Sequence, residues 1–147
     1  MMRRRPALAW LAGACLGQPL VARAADELSE REVRNVRQVV EAQLRAMAEG
    51  DGDKAFFYAA PAIRAQFGSA ARFMAMVLGT YPMLVRPLST VFFRATPGDD
   101  GQALQVVQLR DREGRLWRAS YLLMRRPDGP WRIAGCLVAP DSSSNAT

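Results

Sequence analysis

The residue types that carry most enzyme chemistry are scarce in this chain. It has no histidine among its 147 residues, which excludes Ser-His-Asp and Cys-His catalysis and every imidazole metal site. Its two cysteines, Cys15 and Cys136, therefore have no imidazole partner to favour a thiolate. The acidic pairs at positions 51 and 53 and at positions 99 and 100 lack the spacing of a calcium loop. The sequence predicts no metal, no cofactor and no catalytic residue.

Tyrosine and arginine side chains are the remaining candidates for chemistry. A phenol held in a dry cavity can donate a proton, and an arginine beside it can anchor an anion. We interpret as one ligand-binding set the three tyrosines, two strand arginines and one tryptophan: Tyr58, Tyr81, Tyr121, Arg118, Arg132 and Trp131. The alternative for each tyrosine is a core ring whose hydroxyl reaches water or a carbonyl.

The first 24 residues are typical of a secretory signal peptide. Arginines at positions 3–5 precede a short apolar run over residues 7–17, and small residues mark a cleavage point between Ala24 and Ala25. The run is shorter than the ~20 apolar residues of a membrane-spanning helix. We expect cleavage after Ala24, a bacterial periplasmic location and no transmembrane segment in the mature chain. A lipid anchor at Cys15 and a twin-arginine export signal are the alternatives.

The positive charge of the chain lies mostly in this leader. The formal net charge is +6, but four of the twenty basic residues lie among the first 24 residues, which contain no Asp or Glu. Without the leader, sixteen basic residues stand against fourteen acidic ones, so the sequence predicts no nucleic-acid partner. Cys136 is then the only cysteine, and it is either a buried thiol or free to pair with another molecule.

The first half of the mature chain has the pattern of consecutive helices. Ser29 and Glu32 have the spacing of a capping box, and apolar residues then recur every three or four positions as far as Met47. A Gly-Asp-Gly turn over residues 50–52 ends this helix. Three shorter helices are predicted: residues 54–60 capped by Asp53, residues 61–67, and residues from 70 to about 78 capped by Ser69.

The second half has the pattern of strands. Turn clusters separate four segments that are rich in β-branched and aromatic residues: 87–95, 102–110, 116–126 and 131–138. Short loops between them predict antiparallel hairpins. The fold class is therefore α+β, with N-terminal helices packed on a curved four-stranded antiparallel sheet. We expect a signal peptide over residues 1–24, one domain over residues 25–140 and a disordered tail over residues 141–147.

Two of these strands carry apolar residues on both faces. Neither face of segment 117–124 is purely polar, and residues 91–93 are similar. A sheet that is covered on one face alone should alternate more cleanly. Three interpretations stay open: a homodimer through the second face, which we favour, a sheet curled around a pocket for a small apolar ligand, or loose alternation on a solvated face.

The mature chain also resembles a known family. The residues that carry the resemblance are Phe56, Ala60-Pro61-x-Ile63-Arg64, Phe67-Gly68, Phe73, Met76-Val77, Tyr81-Pro82, Gln105-Val106-Val107, Gly114, Trp117, Tyr121 and Asp128-Gly129-x-Trp131-Arg132-Ile133-x-Gly135-Cys136. From about residue 34 to residue 138 the chain is similar to the bacterial domain-of-unknown-function family 4864. The order of elements resembles the nuclear-transport-factor-2-like (cystatin-like, SnoaL-like) fold, in which helices close a curved sheet into a cone. This resemblance implies an architecture and no reaction, because that fold serves isomerases, hydrolases, ligand binders and interaction domains.

Two functions from different classes remain. The first is a non-catalytic domain that binds a small apolar ligand or a protein partner. The second is a small isomerase- or hydrolase-like enzyme that uses Tyr and Arg in a cone pocket. A cavity of about 300 Å³ or more, with a tyrosine hydroxyl and an arginine inside it, would favour the enzyme. A filled interior with an exposed apolar sheet would favour the binding domain.

Overall fold

A computed structural model describes residues 27–142. The predicted cleavage point between Ala24 and Ala25, Cys15 and residues 143–147 lie outside the described residues. The described part contains four α-helices: α1 Glu30–Ala48, α2 Gly52–Phe57, α3 Pro61–Phe67 and α4 Ala70–Thr80. It also contains five β-strands: β1 Ser89–Phe92, β2 Thr96–Pro97, β3 Ala103–Arg110, β4 Leu116–Arg125 and β5 Trp131–Pro140. Short 3-10 helices precede β1 and follow β2: Pro82–Leu84 and Asp99–Gly101.

Helix α1 begins at the predicted capping box. The Glu32 amide donates to the Ser29 hydroxyl at 3.1 Å, and the Ser29 amide donates to the Glu32 carboxylate at 2.9 Å. Val36 and Val40 on its apolar stripe are fully buried, which attaches the helix to the core. The chain then turns at Gly50, whose φ of +73° is accessible to a residue without Cβ. The sequence prediction for this helix is confirmed.

Helix α2 starts earlier than the sequence predicts. The predicted helix over residues 54–60 with Asp53 as its cap is wrong, because Asp51 is the cap: its carboxylate accepts a hydrogen bond from the Lys54 amide at 3.1 Å. Gly52 therefore lies inside the helix rather than in the turn before it. An Asp at either position can satisfy the open amides of the first turn, so the sequence alone does not choose between the two.

Helix α2 also ends earlier than predicted, because the chain after it joins the sheet. The Ala60 amide donates to the Ile133 carbonyl at 2.7 Å, and the Ile133 amide donates to the Tyr58 carbonyl at 2.8 Å. These bonds place the segment at the edge of β5 as a short parallel bridge. The following proline also disfavours the helical conformation for Ala60. Pairing with β5 thus replaces the last helical turn.

The last two helices follow the predicted pattern more closely. Helix α3 has the predicted bounds, with a proline in its first turn and Gly68 after its end. Helix α4 is capped by Ser69 as predicted, but it extends past Leu78 to Thr80. The Tyr81 amide still bonds a helical carbonyl at 2.7 Å, and the proline that follows it then ends the helix.

The five strands form one antiparallel sheet in the order β1-β3-β4-β5, and β2 pairs with β3 on the same side as β1. The α+β class and the antiparallel pairing are confirmed, but the predicted count of four strands is wrong. The additional strand β2 has two residues and includes Pro97. It lies at an edge of the sheet, where a proline removes no ladder hydrogen bond. The sequence prediction missed it because its residues have the composition of a turn. Strand β1 is shorter than the predicted segment 87–95.

The helices cover one face of the sheet, which we call the inner face. Its fully buried residues include Val107 and Leu109 on β3 and Ala119 and Leu123 on β4. On the opposite, outer face, alternate residues of the same strands remain partly or fully exposed. Within residues 27–142, no helix has the length and apolarity that a membrane span requires. The finer likeness to the nuclear-transport-factor-2-like cone stays a prediction.

Candidate functional site

The outer face of the sheet presents an uncovered apolar surface. One row across the strands consists of Phe93, Val106, Ser120 and Leu137. We define the outer-face patch by its six large apolar residues: Val91, Phe93, Leu104, Val106, Leu122 and Leu137. Leu137 is 75% exposed and Phe93 is 43% exposed. Contiguous apolar surface of this kind marks interaction sites on soluble proteins.

A small polar cluster borders the outer-face patch. The Gln108 amide donates to the Asp141 carboxylate at 2.9 Å, and Arg118 Nε lies 3.8 Å from the same oxygen. The Arg118 guanidinium also lies over the Phe93 ring, 5.4 Å from its centroid. The sequence places Asp141 in the polar tail, yet this residue is only 8% exposed and its amide donates to the Leu116 carbonyl at 2.9 Å. Arg118 is thus held on the outer face beside a carboxylate.

The interior contains a small cavity between the helices and strands β4 and β5. Its volume is about 80 Å³, which at roughly 30 Å³ per water molecule corresponds to two or three waters. Its polar lining groups are Gln43, Tyr81, Tyr121 and Cys136, and aromatic rings such as Phe67 and Phe73 complete the wall. No arginine is among the described residues that line it. The cavity is well below the size of a typical substrate pocket.

Tyr121 and Cys136 lie together in this cavity, and both keep their protons at neutral pH. Among residues 27–142 the buried Tyr121 hydroxyl has no regular hydrogen-bond partner and interacts only with the weakly polar Cys136 thiol. Its burial, together with the adjacent Cys136 thiol, raises its pKa well above the usual value. Burial also raises the pKa of Cys136 to about 12. Because a reactive thiol needs a lowered pKa, Cys136 at neutral pH is a largely buried, weakly polar side chain.

Three other predicted residues meet at a different place. Tyr58, Trp131 and Arg132 line a groove of about 400 Å³ between α1 and the turn from β4 to β5, which we name the α1–β5 groove. Its remaining walls are Asn35, Gln38, Val39, Ala42, Gly129 and Pro130. The Arg132 guanidinium lies 4.5 Å from the Phe57 ring centroid and 6.0 Å from that of Tyr58. Trp131 also lines a second open groove, of about 890 Å³, beside the start of α1.

Comparison with known proteins decides the family. The chain matches the family described as Domain of unknown function (DUF4864) over residues 29–146. The chain belongs to this family. No curated protein and no solved structure matches it. The family membership expected from the sequence is confirmed.

The DUF4864 domain does not bring the six predicted ligand-binding residues into one site. Tyr81 and Tyr121 share the interior cavity, whereas Tyr58 lines the α1–β5 groove. Tyr58 is held away from the cavity because its carbonyl pairs with β5 and its ring lies under an arginine. Arg118 is separate from both places, on the outer face. Within residues 27–142, no group of three or more His, Cys, Asp or Glu residues lies close enough to hold a metal ion.

Sequence reasoning missed several residues of the outer-face patch in this DUF4864 domain. It noted the mixed faces of β1 and β4 but assigned no surface role to Leu104, Val106 or Leu137. The signal was present, because a two-residue period places Leu104 and Val106 opposite the buried face of β3. The buried Gln43 was also missed. Its amide donates to a backbone carbonyl of α2 at 3.1 Å, and a hydrophobic pattern carries no signal for such a bond.

Proposed function

We propose that this domain is an exported, non-catalytic binding module whose outer-face patch takes a second copy of the chain. The observation that carries the proposal is the row of Phe93, Val106, Ser120 and Leu137, three of them apolar, which crosses the sheet with no element of residues 27–142 packed over it. An apolar sheet face gains free energy when another layer covers it. A homodimer supplies that layer without any further partner.

The size of the sheet fits a dimer of moderate affinity. Strands β1, β3, β4 and β5 contain 4, 8, 10 and 10 residues. With a rise of about 3.3 Å per residue and a strand spacing of about 4.8 Å, they cover about 500 Å². Two copies would therefore bury about 1,000 Å², which is the lower limit of a specific protein interface. We expect association in the micromolar range rather than an obligate dimer.

The charges on this face are compatible with self-association. Arg118 borders the patch and lies beside the Asp141 carboxylate, so a contact between two copies brings no lone arginine into the interface. Arg110 lies exposed at the end of β3 on the same face, where solvent screens its charge. Because a twofold interface uses the same patch on both partners, an apolar and nearly neutral surface is suited to a second copy.

The interior supports a binding role over catalysis. Its cavity of about 80 Å³ is far below the ~300 Å³ at which substrate pockets begin. Tyr81 and Tyr121 line this cavity without an arginine that could anchor an anionic substrate. Cys136, with a pKa of about 12, is not a nucleophile at neutral pH. The α1–β5 groove reaches about 400 Å³ and is lined by Tyr58 and Arg132, but it is an open groove, so it favours binding over a reaction that needs a dry pocket.

Light scattering coupled to size-exclusion chromatography tests the dimer. The variant Leu137→Asp places a carboxylate within the patch, and we expect it to weaken dimerisation by about 100-fold or more, because the charge would be buried without a partner. The matched control is Leu78→Asp on α4. Leu78 is also exposed, at 56%, but it lies outside the sheet. Its variant should dimerise like the parent chain.

Two outcomes would contradict this function. One is a parent chain that stays monomeric at about 100 μM, a concentration well above a micromolar dissociation constant. The other is a Leu137→Asp variant that dimerises as strongly as the Leu78→Asp control. Circular dichroism of both variants shows whether each one has folded.

We also propose export of the domain, with Ala25 as the first residue of the mature chain. The charge and apolar pattern of residues 1–24 supports this location, and the family match begins after it, at residue 29. Intact-mass measurement of the chain from the periplasmic fraction of a bacterial host tests it. We expect a mass that starts at Ala25. A cytosolic chain that retains Met1, or a chain acylated at Cys15, would overturn this assignment.

A further inference from the structure

The α1–β5 groove contains a cation without a paired carboxylate. Arg132 makes no ion pair within residues 27–142; its Nη1 donates to the Trp131 carbonyl at 2.8 Å, and its face covers Phe57 and Tyr58. Asp128 is the carboxylate that acts on the charge of Arg132, but it forms its ion pair with Arg126, at 3.1 Å. The guanidinium fork of Arg132 therefore keeps donors available for an anion.

The surroundings of Arg132 reinforce this lack of negative charge. Partial burial, followed by the charge of Arg126, lowers the pKa of Arg132, and Arg64 acts in the same direction. Tyr58 and then Asp128 act in the opposite direction and offset this lowering of the pKa of Arg132 only in part. Arg132 is partly desolvated and is repelled by two other arginines. An anion that binds beside it would offset this unfavourable interaction.

A second group in the groove also lacks a partner. Trp131 lines the groove and is 4% exposed, and its indole Nε1 is buried with no hydrogen-bond acceptor among residues 27–142. An indole N–H can only donate, and a buried unpaired donor is costly. By contrast, the indole of Trp117 donates to the Asp111 carboxylate at 2.9 Å. Of the two indoles among the described residues, that of Trp117 therefore has a hydrogen-bond acceptor and that of Trp131 has none.

We propose that the α1–β5 groove binds a small monocarboxylate with an apolar body. The carboxylate pairs with the Arg132 fork, whose planar donors match its two oxygens. The apolar body packs on Val39, Ala42 and Pro130. Arg132 is the one arginine among the described residues that line the groove, so the ligand has one guanidinium to pair with directly, and a monocarboxylate matches it. The volume of about 400 Å³ lies within the range of small-molecule sites.

Nuclear magnetic resonance of the indole N–H groups tests the proposal. The probes are 3-phenylpropionate and its neutral analogue 3-phenylpropionamide, added to the purified full chain. We expect the carboxylate to shift the Trp131 signal in a saturable way, to leave the Trp117 signal in place, and to bind at least tenfold more tightly than the amide. Equal binding of both probes, no binding, or a shift confined to Trp117 would overturn the proposal.

Matched arginine variants locate the anion. Arg132→Gln should weaken binding of 3-phenylpropionate at least tenfold. Arg72→Gln on α4, which removes an exposed arginine outside the groove, should stay within twofold of the parent chain. Equal effects of the two variants would contradict the assignment of Arg132. If Arg132→Gln does not fold, the comparison of carboxylate and amide on the parent chain still decides.

The source of the carboxylate is settled by a third probe. N-acetyl-L-phenylalanine has the same phenyl ring and the amide and carboxylate of a peptide C-terminus. Binding as tight as that of 3-phenylpropionate identifies a free small acid as the ligand class. Binding at least tenfold tighter identifies the C-terminus of a peptide. In both cases the carboxylate must lose affinity when Arg132 is replaced.

Discussion

Both faces of the sheet carry apolar residues, but the helices of residues 27–142 cover only one of them. On the inner face, Val107, Leu109 and Leu123 are fully buried. On the outer face, Leu104 is 38% exposed and Leu137 is 75% exposed. The same strands supply both sets, because alternate residues of a strand point to opposite faces.

The inner-face residues contribute to folding, whereas we propose that the outer-face residues contribute to association. Residues of the inner face stabilise the monomer by leaving water during folding. Residues of the outer face contribute little to the monomer, and a solvated face would be expected to carry polar side chains. The proposed self-association would account for their apolar character. Substitutions on the two faces should give different classes of effect.

The largest effect is expected on the inner face. Leu123→Ala should lower the free energy of unfolding by about 2–5 kcal/mol, because it removes buried methyl groups and leaves a cavity. Urea unfolding followed by circular dichroism measures the change at a concentration where the chain is monomeric. The matched control is Leu104→Ala on the outer face, which should cost about 1 kcal/mol or less. Equal losses would remove the distinction between the faces.

The second effect concerns pH and the interior cavity. The pKa of Cys136 is raised from 9.0 to about 12 in the folded chain, so above pH 9 the unfolded chain loses the thiol proton while the folded chain keeps it. The unfolded state then binds fewer protons, and stability falls as pH rises, by on the order of 1 kcal/mol per pH unit. Urea unfolding between pH 8 and pH 11 measures this decline.

The matched variant for the pH effect is Cys136→Ala. It removes the thiol that titrates, so the decline above pH 9 should become shallower than in the parent chain. The pKa of Tyr121 is also raised by burial, and its contribution should remain in the variant. An identical pH dependence in the variant and the parent chain would show that the thiol is not held protonated.

A smaller effect of opposite sign is expected at Tyr121. Among the described residues its buried hydroxyl has only the Cys136 thiol, a weak partner, beside it, so Tyr121→Phe removes a polar group that gained little on folding. The free energy of unfolding should stay unchanged or rise by about 1 kcal/mol. Thermal and urea unfolding both measure it. A loss of more than about 1 kcal/mol would mean that the hydroxyl makes a strong hydrogen bond after all.

The smallest effect is expected at the most exposed leucine. Leu137→Ser should change the free energy of unfolding of the monomer by no more than about 0.5 kcal/mol, because a side chain that is 75% exposed leaves little area to lose. The same variant should nevertheless weaken dimerisation, as light scattering measures it. A large loss of monomer stability would place this residue in the core instead.

Much of the fold could be predicted from the sequence, because its signals are local. Ser29 and Glu32 identify the start of α1 by spacing alone, and the proline at the first position of α3 and the glycine after its last residue set its bounds. The prediction failed where a distant partner decides the conformation. Residues 58–60 leave the helix because they pair with Ile133, and no local pattern encodes that bond. Strand β2 was missed for the same reason.

The candidate sites could be predicted less well. Tyr58, Tyr81 and Tyr121 are chemically similar in the sequence, but the fold separates Tyr58 from the other two. The grouping of Tyr58 with Arg132 depends on the parallel bridge at β5, which is a tertiary feature. In contrast, the apolar residues on the second face of the sheet could be recognised from the alternation of residue types alone, because the two-residue period of a strand is local.

Methyl resonances of the leucines, recorded over a dilution series, test the central claim most directly. If the outer-face patch takes a second copy, the methyl signals of Leu104, Leu122 and Leu137 should shift with concentration, while those of the buried Leu109 and Leu123 stay in place. Shifts that are absent from all three outer leucines, or that occur equally on both faces, would contradict the account.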